Sequence, residues 1–237
     1  MKKILAIIPA RGGSKGIPGK NLSNLCRKPL IKWTIDEAKK SNLIDKIILS
    51  SDDNEIIEYC RKQGIEVPFK RPKNFAKDNT PMLPVIKHAI NFLKVNKKYV
   101  PDYILLLQPT SPLRTYKHID EALNLLMSSD ADSVVSVVEV PHNFNPYSVM
   151  KLKNGYLKPF LKYNENMNLR QKKPKFYARN GAAIYAFKFN CLIKKNSIYG
   201  DKILPYFMKR EESIDIDEKF DLELAEVIIK KNKFLWT

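Results

Sequence analysis

The chain has 237 residues, 44% of them hydrophobic, enough for a sizeable core in one large domain or two small ones. Its 42 Lys and Arg against 25 Asp and Glu leave a net charge of +17, scattered in KK and KxK pairs rather than gathered in one block; a basic surface for anionic substrates explains this, and no nucleic-acid partner is expected. No stretch approaches the ~20 apolar residues of a membrane span, no signal-type run follows Met-Lys-Lys, and Cys26, Cys60 and Cys191 match no zinc spacing, so a reduced, cytoplasmic setting without membrane insertion is expected.

The first element is an apolar strand, Ile4 to Ile8, which Pro9 ends because proline cannot donate to a ladder. It runs into ARGGSKGIPGKNL, where four of the chain's eight glycines (Gly12, Gly13, Gly16 and Gly19) stand among Arg11, Lys15 and Lys20. Glycines permit close backbone approach and the cations are fixed nearby, so the loop reads as a phosphate cradle. It lacks the GKS or GKT ending of a P-loop, and its glycines do not fall as GxGxxG. Pro29 to Lys40 then reads as an amphipathic helix, with Leu30, Trp33, Thr34 and Ala38 near helical spacing, and Lys46 to Ser50 as a second buried strand. A helix over Asp52 to Lys62, its acidic start favourable at a helix N-terminus, leads through Gly64 to a short strand at Glu66 to Phe69. Such alternation predicts a mostly parallel sheet.

Arg71 opens the loop RPKNFAKDNTPM, and the next helix is expected over Pro84 to Val95. Open α/β sheets bind ligands at the carboxyl ends of their strands, which turns Arg71 and Asp78 toward the same crevice as the first loop. Tyr103 to Leu107, YILLL, is the most apolar strand and is expected at the centre of the sheet. It empties into QPTSPLR, where Gln108 offers donor and acceptor together for a sugar hydroxyl or amide, while Ser111 could equally cap the helix Tyr116 to Met127. After a strand at Ser133 to Val140 the pattern breaks. Pro141 to Arg179 reads as an excursion holding a hairpin, Val149 to Lys153 with Tyr156 to Phe160, about Asn154-Gly155. Arg170 and Arg179 are its candidate carboxylate or phosphate clamps. Ala182 to Phe187 returns to the sheet.

Last comes SIDIDEKFD, Ser213 to Asp221. Its alternation faces Ile214 and Ile216 to one side and Asp215 and Asp217 to the other. Two adjacent carboxylates repel unless a cation lies between them, and hard oxygen ligands without a nearby histidine point to magnesium. Asp221 is expected to cap a final helix, Leu222 to Lys230. His88, His118 and His142 match no catalytic pattern.

The strings ARGGSKGIPGKNL, Arg71-Pro72 to Asp78, LLQPTSPLR, Asn180-Gly181 to Tyr185 and SIDID occur in this order across essentially the whole chain. Together they resemble the acylneuraminate cytidylyltransferases, which activate sialic and related nonulosonic acids as CMP-sugars. The resemblance implies a Rossmann-like α/β nucleotidyltransferase fold of the nucleotide-diphospho-sugar transferase type, with residues 1–237 one domain and 141–179 a protruding excursion shared in a homodimer. It implies that CTP is seated by the first loop (Ala10 to Lys15, with Ser14 among them, then Lys20 and Asn21) and by Arg71, Asp78, Asn79 and Thr80. The acidic sugar would meet Gln108, Ser111, Arg170, Arg179, Tyr185 and Asp215. Arg11, Lys20, Asp215 and Asp217 would be catalytic, the two aspartates holding Mg2+. Two departures stand out: Met82 replaces a serine found in some relatives, and one residue is extra between Asn180-Gly181 and Ile184-Tyr185, so the two anchors give different equivalents for Arg179. A Kdo-type cytidylyltransferase keeps the fold and changes the sugar; a non-catalytic nucleic-acid-binding protein is the remote alternative.

Overall fold

A computed structural model describes residues 2–162, 170–181 and 183–231. β1 (Ile4–Pro9) is buried along its whole length, and its side chains alternate between two cores. Ile4, Ala6 and Ile8 enter one layer, Leu5 and Ile7 the other, the period-2 pattern of a strand covered on both faces. Pro9 remains in register with Ser50 as the last paired residue, where its missing N–H costs least. A short hairpin, β2 (Asn24–Leu25) and β3 (Lys28–Pro29), precedes α1 (Leu30–Lys40), followed by β4 (Lys46–Ser50) and α2 (Asn54–Lys62). Asp53 caps α2, its carboxylate accepting from Ile56 N, so the helix starts two residues after the expected Asp52.

The expected strand at Glu66 to Phe69 does not form: only Glu66 bridges, to Ile48. Pro68 has no N–H to extend a ladder. α3 (Met82–Lys97) begins two residues before Pro84, which falls in its first turn, where proline is tolerated. β5 (Tyr103–Leu106) and α4 (Tyr116–Met127) lie as expected. Thr115, not Ser111, caps α4 in a reciprocal pair with His118. β6 (Ser133–Glu139) is followed by the hairpin β7 (Met150–Lys153) and β8 (Tyr156–Pro159), turned by Asn154 and Gly155 at positive φ.

β9 (Tyr177–Arg179), β10 (Tyr185–Lys188), α5 (Phe189–Lys194), β11 (Ile203–Phe207) and α6 (Lys219–Lys231) complete the chain. β10 starts at Tyr185, later than expected, since Ala183 and Ile184 precede the strand and Ala182, the expected start, lies outside the described residues. α5 and β11 were not legible; β11 contains Pro205, which argues against a strand except at an edge, where this one lies. The main sheet runs β11-β6-β10-β5-β1-β4, with β9 on β6. β4, β1 and β5 are parallel, β6 and β11 are parallel, and the antiparallel β10 joins the two groups so that all five point one way. β5 is central, as its apolar run predicts. α1, α2 and α4 cover one face and α3 and α5 the other.

A third core of Ile17, Leu25, Leu30, Trp33, Leu113, Ile216, Ala225 and Ile229 lies beside the sheet. It brings together the first loop, the β2–β3 hairpin, the loop after β5 and α6. Ile216 is fully buried there, and burying one such side chain contributes roughly 1.5–3 kcal/mol. That burial anchors the acidic segment.

Candidate active site

The carboxyl ends of β1, β4 and β5 converge on a cavity of about 230 Å³, lined by Arg11, Ser14, Lys20, Asn21, Arg71 and Asp217, with Pro9, Met82 and the Gln108–Thr110 turn completing it. A larger cavity, about 850 Å³, lies between Glu139–Asn145, Gln171–Lys175 and Arg210. Volume favours the larger one and chemistry the smaller, since no residue of the glycine loop lines the former.

The first loop is fastened from beneath. Ala10 N donates to Ser50 O (3.0 Å), Asn21 Nδ2 to Arg11 O (2.9 Å) and Gly12 N to Asp52 Oδ1 (3.2 Å). Arg71 is buried and donates through Nε to Ser50 Oγ (3.0 Å) and through its terminal nitrogen to Ser50 O. Burial lowers its pKa to about 10, opposed by the Asp52 carboxylate and aided by Arg11, so it stays charged at neutral pH. In the sequence Asp52 signals only a favourable helix start. Its place just after β4, at the ligand end of the sheet, is the signal that would have marked it.

The acidic segment crosses the same edge. Lys20 Nζ donates to Ile216 O (2.6 Å) and pairs with Asp217 Oδ1 (3.1 Å), while Ile216 N donates to Thr110 O (2.8 Å). Residues 215–217 are therefore tied to the loops after β1 and β5 at once. Gly16 is needed there, because a Cβ would lie 2.2 Å from Asp217 O. So is Gly181, at φ +69°, whose Cβ would fall 2.6 Å from the Asp215 carboxyl carbon.

The two aspartates have unequal surroundings. Asp217 is largely exposed beside Lys20; α6 starts at Lys219, three residues before the expected Leu222, so Asp221 is not the residue before the helix but lies in its first turn, its Oδ2 accepting from the N–H groups of Asp217 and Glu218 (2.9 Å each). Asp215 is turned inward, and burial pushes its pKa up. The Thr110 hydroxyl and Lys20 oppose this, Asp217 and Asp221 reinforce it. Thr110 is near enough to act on that carboxyl, yet among the described residues neither Thr110 Oγ1 nor Asp215 Oδ1 has a hydrogen-bond partner. A buried carboxylate oxygen without a donor favours a cation. No cluster of three or more His, Cys, Asp or Glu occurs among the described residues, so a metal here would take its remaining ligands from elsewhere.

The other predicted residues are placed as follows. Asp78 pairs with Arg11 and with Lys15 (2.8 Å). Asn79 is exposed, and Thr80 Oγ1 donates to Asn74 O (3.3 Å). Gln108 lines the cavity; Ser111 is buried behind it, its hydroxyl without a partner among the described residues. Tyr185 is buried edge-to-face on Tyr199, with burial pushing its phenol to about 12. Arg179 donates to the Tyr199 hydroxyl and lies over its ring. Arg170 opens a turn at Arg170–Lys172, and its side chain lies outside the described residues. Arg114, fully buried, is structural: it donates to Ala183 O (2.7 Å), Gln108 O (3.3 Å) and Thr34 Oγ1 (2.6 Å) and so holds the loop after β5 to β10 and α1.

The family described as Cytidylyltransferase matches residues 5–237. The N-acylneuraminate cytidylyltransferase of Escherichia coli O18:K1:H7 is 34% identical over 97% of this chain, which spans 52% of that protein. The CMP-N,N'-diacetyllegionaminic acid synthase of Campylobacter jejuni is 32% identical, with 97% of this chain and 96% of that protein covered. A CMP:2-keto-3-deoxy-manno-octonic acid synthetase complexed with CTP is similar in fold, with a TM-score of 0.73 at 16% identity over 98% of this chain and 100% of that one.

Proposed function

The chain belongs to the cytidylyltransferase family, and from that premise we propose that it transfers CMP from CTP to a nonulosonic acid, a nine-carbon 2-keto acid sugar. The names of the relatives that span both chains, or half of one, support the sugar class. The observation that carries the reading is that Lys20 ties the glycine loop to Ile216 and Asp217 across a cavity also lined by Arg11 and Arg71.

The anomeric hydroxyl of the sugar attacks the α-phosphorus of CTP, a new P–O bond forms as the hydroxyl loses its proton to solvent, and the bond to the β-phosphate breaks to release pyrophosphate. Arg11, Lys15 and Lys20 offset the triphosphate charge, which is spread over several oxygens in such a transfer. Asn21 and Asp52 fasten the loop, Asn21 through Arg11 O and Asp52 by accepting from Gly12 N, and Arg71 adds a fixed positive charge held by Ser50. Gln108, beside Thr110 at the end of the central strand, offers a donor and an acceptor to the sugar. Magnesium fits the residues present, because Asp215 and Asp217 offer hard oxygens and one of them is buried without a partner; when bound it would neutralise phosphate charge.

The hairpin β7–β8 is exposed on both faces: Leu152 pairs with Leu157 on one and Lys151 with Lys158 on the other. An isolated two-stranded hairpin is marginal in water, so its apolar face calls for a partner. We assign that partner as a second copy of this chain, which makes the enzyme a homodimer. Cys26, Cys60 and Cys191 are free thiols, in keeping with a cytoplasmic setting. Among the described residues no helix is long and apolar enough to cross a membrane.

The test is a pyrophosphate-release assay with each of CTP, UTP, ATP and GTP against N-acetylneuraminate, legionaminate, pseudaminate and Kdo. CTP with one of the nine-carbon acids should be fastest. Equal rates with a purine triphosphate, or preference for the eight-carbon Kdo, would overturn the nucleotide or the sugar assignment respectively.

A further inference from the structure

Asp78 has the wrong charge for a triphosphate ligand. A carboxylate repels a triphosphate and competes with it for cations. Here Asp78 pairs with Arg11 and, at 2.8 Å, with Lys15, the same two cations assigned above to the triphosphate. We infer that Asp78 is a positioning residue, an internal anion that gathers Arg11 and Lys15 to one point in the free enzyme, yields them to the phosphates of CTP, and retakes them as pyrophosphate leaves. The inference rests on the CTP reading of this site.

Arg11 and Lys15 stand on one glycine-rich loop and repel each other when no anion lies between them. The carboxylate that joins them comes from a short tethered segment. Its one end is the buried Arg71 and its other is Met82 at the start of α3, and both line the cavity. Between them Phe75 packs against His88 at 5.3 Å, and Thr80 N donates to Lys77 O (3.1 Å). Asp78 is thus delivered across the cavity mouth on a fixed arm. Lys15 and Arg11 hold its carboxyl below the usual range, so it is an anion under all working conditions. The side chains of Lys15 and Asp78 are substantially exposed, and exposed ion pairs are weak enough to be exchanged for a ligand carrying several charges.

The experiment is calorimetric titration of the parent, Asp78→Asn and Asp78→Glu with inorganic pyrophosphate and, separately, with CTP, followed by KM and kcat for CTP. Asn keeps the shape and removes the competing charge. It should bind both anions from about twofold to about thirtyfold more tightly, the range of two exposed pairs released together. Its KM for CTP should fall, and its kcat should fall too because pyrophosphate leaves more slowly. Asp78→Glu should return toward the parent on all counts. If the parent binds both anions and Asp78→Asn binds them no better, or worse, Asp78 is a nucleotide contact or a bystander and the inference is overturned alone. If the parent binds neither anion, the CTP reading falls with it.

Discussion

Gly16→Ala tests whether the glycine loop sets the position of the acidic segment. A methyl group at residue 16 would lie 2.2 Å from Asp217 O, which is backbone and cannot swing aside. Ordinary carbon contacts lie near 3.5 Å, so loop and segment must separate by about 1 Å. The segment has little room to do so while Ile216 stays in the third core and its N–H stays on Thr110 O. The yielding contact is therefore Lys20 Nζ to Ile216 O, a bond to a charged group of the kind worth about 1.5–3 kcal/mol. For a chain of this size each kcal/mol moves the melting midpoint by about 2–4 °C, so thermal denaturation followed by circular dichroism should show a fall of roughly 3–12 °C. Misplacing catalytic groups by 1 Å costs on the order of 100-fold in rate. A continuous pyrophosphate assay at saturating CTP and sugar should therefore show kcat down about 100-fold in protein that is still folded. Parental kcat and parental melting together would refute the argument that Gly16 is where loop and acidic segment touch.

Asp215→Asn and Asp217→Asn should both fold and should need more magnesium or fail at any concentration; parental rates at parental magnesium would show that the pair does not hold the metal. Asp215→Asn carries a second signature. In the parent the folded pKa of Asp215 is raised by burial, so the folded state binds the extra proton, and stability is present below the unfolded carboxylate range and lost as pH rises through the folded pKa. Metal-free Asp215→Asn should then be more stable than the parent at neutral pH, with the gap closing near pH ~4; parallel curves from pH 3 to 8 would contradict the burial of this group. In the β2–β3 turn, Cys26 and Arg27 take φ of 49° and 72° without being glycine, so Arg27→Gly should raise stability by a few tenths to about 1 kcal/mol in urea unfolding, and a loss would disprove the strain. Light scattering should give about twice the 27.4 kDa chain mass, falling to one for the double change Leu152→Glu and Leu157→Glu; a parent that is already monomeric would exclude the assigned partner.

The elements that were legible are those whose local pattern admits one answer. β1 and β5 are uninterrupted apolar runs, and α1, α3 and α4 repeat apolar residues at helical spacing. Asn154-Gly155 is a turn wherever it occurs between such runs. The failures have equally local causes. Glu66 to Phe69 is apolar enough for a strand, but Pro68 cannot pair; Pro205 disguised β11, which survives because its proline stands at an edge. Ser111 and Thr115 are both chemically able to cap α4, and only the path of the chain chose Thr115.

The sequence by itself determined the chemistry on offer: a glycine loop with three cations, a glutamine after the central strand, and two carboxylates alternating with isoleucine. These are properties of residue type and near spacing, and they survive any fold that keeps the segments intact. Only the tertiary structure decided which of those charges meet. Lys20 and Ile216 are 196 positions apart, and they touch because Ile216 is held in a core built by α6, the β2–β3 hairpin and two loops. The same packing made Asp215 and Asp217 different. Alternation predicts that they share a face, but the Gly181 turn and Thr110 close over Asp215 and leave Asp217 in water beside Lys20. Burial and long-range contact depend on what lies across the gap, and no local window of sequence contains that.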